Sequence, residues 1–377
     1  MACNKLDAKA FGALVDPSME TLEIVDCSGI PQDVLAKTIA DLKGLEYLVL
    51  THAGRVFGKQ SVNSLIHANV QLCCLSISGA YLFKDEDAGR VLRANPGLQS
   101  IILDTCPLLG ANFLGAVAES SGLLELSLRE LTLSSEVVWN LARSAEALRS
   151  IKNLTLICIS GLTDEILGEI LKAIGHSLET LDISYNHNLS DSCLAGIRQF
   201  NTSLQSLFMN SVKDLTSAGL VTLFSYPLEG LPPPPKLKLL ELGSCNHQAV
   251  TDEVLALVTA SASANYDIEL GSFFVRGRGL AYLDIQGSTL VTDSMLEKLA
   301  ETSSSTLIEL NVSFCPLITD RGLGYLVSKA GDQLALIHVW GCAQLSDEFF
   351  DGHRRVNDRT FEIAGAWMKK SGTRSLR

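Results

Sequence analysis

TLIELNVSFCPLITDRGLGYL, residues 306–326, sets Cys315 five residues before Asp320. The apolar residues around them neither alternate strictly nor keep one helical period. A thiol and a carboxylate so close suggest a reactive site, a metal site, or one copy of something repeated. Laying the chain against itself decides between them. Leu-x-x-Leu-x-Leu recurs with leads at Met19, Leu45, Leu72, Leu98, Leu123, Ile151, Leu178, Leu204, Leu237, Leu280, Leu307 and Leu334. Nine of the eleven separations fall between 25 and 28 residues, the signature of a stacked array in which each unit covers its neighbour's apolar face.

Each copy has two halves. A short segment such as LETLDIS (178–184) alternates apolar and polar residues, as a half-buried strand does. A Ser/Thr-Asp pair then opens a run with helical spacing, as in TDEILGEILKAI (163–174). The pair stands at Thr163-Asp164, Ser190-Asp191, Thr251-Asp252, Thr292-Asp293, Thr319-Asp320 and Ser346-Asp347. The hydroxyl suits an N-cap and the carboxylate suits the positive end of the helix, so Asp320 reads as a helix start rather than a catalytic acid. Eight residues after a lead stand Cys27, Cys106, Cys245, Cys315 and Cys342, with Asn186 in the same place in another copy. Such residues are expected to be buried where the chain leaves the strand. One per coil, they cannot assemble a tetrahedral metal site, and Cys73-Cys74 and Cys245-Asn246-His247 each lack a second pair. No metal or other cofactor is expected.

The chain has 377 residues, 47% hydrophobic and 19% charged, which suffices for a large core. No apolar run reaches the roughly 18 residues of a membrane span. The opening MACNKLDAKAFG lacks a basic region followed by an apolar one, so nucleus or cytoplasm is the expected compartment. The ten cysteines are then expected as free thiols, and the sequons at Asn153, Asn188, Asn201 and Asn311 as chance matches. Net charge is −12, yet residues 353–377 carry seven Lys/Arg against Asp358 and Glu362. A body so acidic repels phosphate backbones.

The array is interrupted twice. SYPLEGLPPPPK (225–236) reads as a stiff loop, because four consecutive prolines fit neither helix nor central strand. TASASANYDIELGSFFVRGRG (259–279) reads as an inserted loop or extra strand. Its Phe273, Phe274, Arg276 and Arg278 either contact a partner or fold back on the core.

The unit L-x-x-L-x-L-x-x-C-x-x-[LI]-[TS]-D-x-x-L, carried almost throughout by LIELNVSFCPLITDRGL (307–323), is similar to the cysteine-containing leucine-rich repeat of F-box adaptor proteins. The resemblance covers residues 19–347. It implies an α/β solenoid, a horseshoe of about twelve strand–helix repeats with parallel strands on the concave face. Residues 1–18 are then an N-terminal cap and residues 348–377 a C-terminal cap with a basic tail, Phe361 and Trp367 covering the last coil. Nothing in residues 1–18 corresponds to an F-box, which points away from direct docking to the usual cullin linker. LIHVWGCAQLSDEFFDGHRRVNDRTFEIAGAW (336–367) resembles the closing segment of the Rad-seven family of DNA-repair proteins. That resemblance implies work in nucleotide excision repair beside a helicase-like ATPase, and in a cullin-type ubiquitin ligase through an elongin-C-like subunit.

In this repeat type the outward strand positions lie four, six and seven residues after each lead. In the C-terminal half they hold Asp182, Tyr185, Phe208, Asp284, Phe314 and Trp340, the candidate residues for contact with a protein partner. Arg129 is the one Lys or Arg across all twelve copies of these positions, so a groove that reads nucleic acid is not expected. No catalytic set is visible. The seven histidines are scattered, no G-x-S-x-G or phosphate loop occurs, and GRGLAYLDIQG (277–287) lacks the strand-turn-helix context of a nucleotide loop. The expected function is a non-enzymatic scaffold, a monomer within a hetero-complex, recognising substrates for a cullin-type ligase. Two alternatives stay open: a GTPase-regulating leucine-rich repeat protein, and a damaged-DNA binder acting through the basic tail.

Overall fold

The computed structural model describes residues 11, 13–26, 29–68, 71–120, 122–201, 203–226, 230–263, 279–330, 333–346, 349 and 362–364. They fall into two compact units, Met1–Leu178 and Glu179–Arg377. In the first, strands β1 (Thr21–Val25), β2 (Tyr47–Thr51), β3 (Cys74–Ser78), β4 (Ser100–Asp104), β5 (Glu125–Leu131) and β6 (Asn153–Ile159) pair in parallel in chain order. The helices Gln32–Asp41, Lys59–His67, Asp85–Ala94, Ala111–Ala118, Ser135–Arg143 and Asp164–Ile174 follow them in alternation. In the second unit, β7 (Thr180–Asp182), β8 (Ser206–Phe208), β9 (Leu239–Glu241), β10 (Tyr282–Asp284), β11 (Glu309–Asn311) and β12 (Leu336–His338) repeat the scheme. Its helices are Asp191–Phe200, Ser217–Phe224, Asp252–Ser263, Asp293–Ser303 and Asp320–Ala330. A short strand β13 (Glu362–Ala364) pairs parallel with β12.

The register follows from the repeat. Three residues after each lead, Leu181, Leu207, Leu240, Leu283, Leu310 and Ile337 stand directly opposite one another from β7 to β12. All six are fully buried. A one-residue slip would turn this whole row outward, at about 1.5–3 kcal/mol per side chain, so the register is fixed. The helices close the other side of the core, Ile166, Leu167, Ile170, Leu171 and Ile174 being buried in Asp164–Ile174.

The Ser/Thr-Asp pair does more than start helices. Thr163, Ser190 and Thr292 accept the backbone N–H two or three residues on, as N-caps do. Four of the aspartates, however, bond to the following coil. Asp191 accepts from Thr216 N at 2.8 Å and Thr216 Oγ1 at 2.5 Å, and Asp293 accepts from Thr319 N and Oγ1 at the same two distances. Asp252 makes the corresponding pair with Thr292, and Asp320 accepts from Ser346 N. Asp85 shows the logic most plainly. It accepts from Gly110 N and Phe113 N, capping a helix whose own N-cap residue, Gly110, has no side chain. The carboxylates form a ladder between coils.

Two expectations shift. The segment 259–279 begins as helix, since Asp252–Ser263 runs into it, and Phe273, Phe274, Arg276 and Arg278 lie outside the described residues. So do Cys27, Asp347, Phe361 and Trp367. In the proline segment, Pro234 and Pro235 are buried, and Ser261 Oγ donates to Pro235 O at 2.9 Å.

Candidate functional site

At the end of each strand from β1 to β12 the chain turns through one residue in the left-handed region. It is always the seventh after a lead: Asp26, His52, Gly79, Thr105, Glu130, Cys158, Tyr185, Ser211, Ser244, Gly287, Phe314 and Gly341, with φ between 48° and 80°. Nine of these are not glycine, so the turn is maintained against a backbone cost of roughly 1–2 kcal/mol each. The next residue drops into the core. There Cys106, Cys245, Cys315 and Cys342 are buried, and each Sγ donates to a carbonyl of the preceding coil: Ile77, Met209, Ile285 and Val312 at 3.8, 2.8, 3.4 and 3.1 Å. Burial pushes the thiols of Cys106 and Cys245 up to about 11 and that of Cys315 up to about 12.

Cys315 is therefore a packing residue, its thiolate form strongly disfavoured by burial relative to an ordinary cysteine. Cys158, exposed at its left-handed turn, is the contrast. Of the described cysteines, Cys158 is expected to react first with Ellman's reagent on the native chain at pH 8. Cys106, Cys193, Cys245, Cys315 and Cys342 should react only on unfolding, as peptide mapping would show. Early labelling of Cys315 would refute this account.

The left-handed turn aims two aromatic residues outward in the second unit. Tyr185 is 50% exposed and Phe314 is 48% exposed. Phe314 lies over Gly341, where an added Cβ would come within 2.4 Å of its ring, and Phe314 N donates to Trp340 O. Phe208 and Trp340 are half-buried on the same face, as are Asp182 and Asp284. The sixth position after a lead departs from expectation. In the first unit, with strands of five to seven residues, Val25 and Arg129 there are exposed. In the second, with three-residue strands, Ser184 and Ser313 are buried and their hydroxyls accept from Asn210 N and Trp340 N at 3.1 Å.

The second position after each lead faces outward instead, a place that the fourth, sixth and seventh positions leave out. It brings Tyr282 and Glu309 beside Glu241 and Asp284. Glu309 Oε1 meets His338 Nε2 at 3.0 Å. Asp284 accepts from Asn311 Nδ2 at 2.8 Å and Gln286 N at 2.9 Å, while Asn210 Nδ2 bonds Glu241 Oε2. Burial raises the carboxyl groups of Glu241 and Asp284, and neighbouring carboxylates add to it: Asp284 and Asp182 for the first, Glu309 for the second. The Tyr282 hydroxyl is raised for the same two reasons.

Among the described residues no group of three His, Cys, Asp or Glu could hold a metal, and no helix is long and apolar enough to cross a membrane.

Residues 303–327, which include both Cys315 and Asp320, match the family model described as Leucine Rich repeat. The fold is that of a leucine-rich repeat array. Among solved structures, the chain resembles yeast Rad7 in the crystal structure of the Rad7 and Elc1 complex, with a TM-score of 0.72 at 18% identity. The match covers 97% of this chain and 84% of the other. A chain of the octameric complex of Latrophilin 3, Unc5D and FLRT2 matches at TM-score 0.42 and 15% identity, over 87% of this chain and 86% of that one.

Proposed function

We propose that this protein is a non-enzymatic interaction scaffold, the substrate-recognition subunit of a cullin-type ubiquitin ligase in the nucleus or cytoplasm. The observation that carries the reading is the strand face of the second unit. It presents exposed aromatic residues at fixed turns, beside acidic and amide side chains, on a rigid parallel sheet. Large aromatic groups on a stiff frame lose little entropy on docking, which is why they anchor protein interfaces. Tyr185, Phe208, Phe314, Trp340, Asp182 and Asp284 are the contact residues of this proposal. The segment with Phe273, Phe274, Arg276 and Arg278 is its second contact region.

The ligase assignment draws on the likeness to Rad7, a protein crystallised with Elc1, and nucleotide excision repair is the setting it suggests. Affinity purification of the tagged chain with mass spectrometry, with and without DNA damage, tests it. The expected result is recovery of an elongin-C-like subunit with a cullin, together with a helicase-like ATPase. Recovery of a small GTPase alone would replace this reading with that of a GTPase regulator.

A further inference from the structure

Strands β7 to β12 turn mostly acidic groups outward, His338 beside Glu309 being the one basic side chain at the second, fourth, sixth and seventh positions. Asp182, Glu241, Asp284 and Glu309 stand on four of the six. No Lys or Arg occupies the second, fourth, sixth or seventh position after any of the six leads. Asp284 and Glu241 take amide hydrogen bonds from Asn311 and Asn210, which satisfy their lone pairs but leave the charge in place. Each lies within electrostatic reach of another carboxylate, and both are partly withdrawn from water. Like charges crowded together in this way repel, and a cation arriving from outside relieves that repulsion. The aromatic ring of Phe314 stands exposed on the same face. A phosphate backbone is repelled here, whereas an ammonium or guanidinium beside an apolar side chain is complementary on both counts.

We propose that the outward face of strands β7–β12 binds a Lys/Arg-rich segment of a protein partner, whose cations meet Glu241, Asp284 and Glu309 while an apolar side chain packs on Phe314. This rests on the reading of that face as a protein-binding surface and adds the chemistry of what it binds.

The test titrates the full chain with a fluorescein-labelled octalysine peptide, with octaglutamate as the control. Saturable binding of octalysine that weakens with salt is expected. An E241Q/D284N/E309Q variant keeps each side chain's size and one accepting oxygen, at the loss of one of the two bonds Asp284 accepts, and should bind about tenfold more weakly. An E165Q/E253Q/E301Q variant, altered on exposed helix surface, should bind as the parent does. Equal weakening of both variants would reduce the effect to net charge and overturn the proposal, as would absence of saturable binding. Carbodiimide crosslinks from the peptide to Asp284 or Glu241 support it. Crosslinks from Lys369 or Lys370 to those carboxylates would make the chain's own tail the occupant and overturn the partner. Ligase recovery without octalysine binding sinks this inference alone. Octalysine binding without ligase recovery sinks the ligase reading alone.

Discussion

Gly161→Ala is expected to destabilise the first unit by about 3 kcal/mol, although it adds a single methyl group. A Cβ at Gly161 would lie 2.5 Å from Leu133 O, 2.5 Å from the carbonyl carbon of Ser134 and 2.6 Å from Ser135 N. All three are backbone atoms of the preceding coil, so no rotamer change relieves the contact. Ser160 Oγ donates to Leu133 O at 2.8 Å, tying the two segments together at that place. Making room for the methyl means lifting one coil from the next, which strains that bond and opens the packed rows on either side. The natural control is Gly168→Ala. It sits inside the helix Asp164–Ile174 with no atom within 4 Å of the new Cβ, and should gain up to about 1 kcal/mol from helix propensity. Urea denaturation of both variants separates the two effects. If Gly161→Ala melts with the parent, the close approach of the two coils is wrong.

That contrast marks what the sequence makes legible. The spacing of Leu leads reports which residues of a coil point inward, because burial repeats with the coil. The inward aim of Leu181, Leu207, Leu240, Leu283, Leu310 and Ile337 therefore follows from spacing alone, as do the N-cap hydroxyls and the burial of Cys315. What stands opposite a residue in the neighbouring coil is a different matter, since it depends on register and backbone path. Asp293 is legible as a helix start, but its bonds to Thr319 are not. Gly322 shows the hidden constraint: a Cβ there would fall 2.4 Å from Asp293 Oδ1, so this rung needs glycine opposite the carboxylate. The candidate face is half legible for a related reason. Tyr185 and Phe314 point outward as their place in the repeat implies. Tyr282 and Glu309 stand two residues after their leads, ahead of the fourth position, and their outward aim emerges only when the strand alternation is carried backward as well as forward.

Arg198→Ala should destabilise the second unit by about 3–5 kcal/mol, a loss ordinarily associated with a core leucine. Its side chain is 1% exposed, on the buried face of the helix Asp191–Phe200. Aligned on the Thr163-Asp164 and Ser190-Asp191 pairs, Arg198 occupies the place of the fully buried Leu171 one coil earlier. The next coil explains the exchange. Its helix, Ser217–Phe224, has only eight residues and gives way at Ser225 to extended backbone leading into the proline segment. Carbonyls left open there need donors. Arg198 Nη1 donates to Leu223 O at 2.7 Å and Nη2 to Ser225 O at 2.9 Å, and its positive charge complements the negative end of the helix. Alanine would leave those carbonyls without these donors, about 1–3 kcal/mol for each left unsatisfied, and would vacate the volume of the side chain. Lysine tests the geometry separately from the charge. One ammonium cannot span both carbonyls as the guanidinium fork does, so Arg198→Lys should recover less than half of the lost stability. Full recovery with lysine would show that charge alone holds this helix end, and an Arg198→Ala variant as stable as the parent would refute the buried cap.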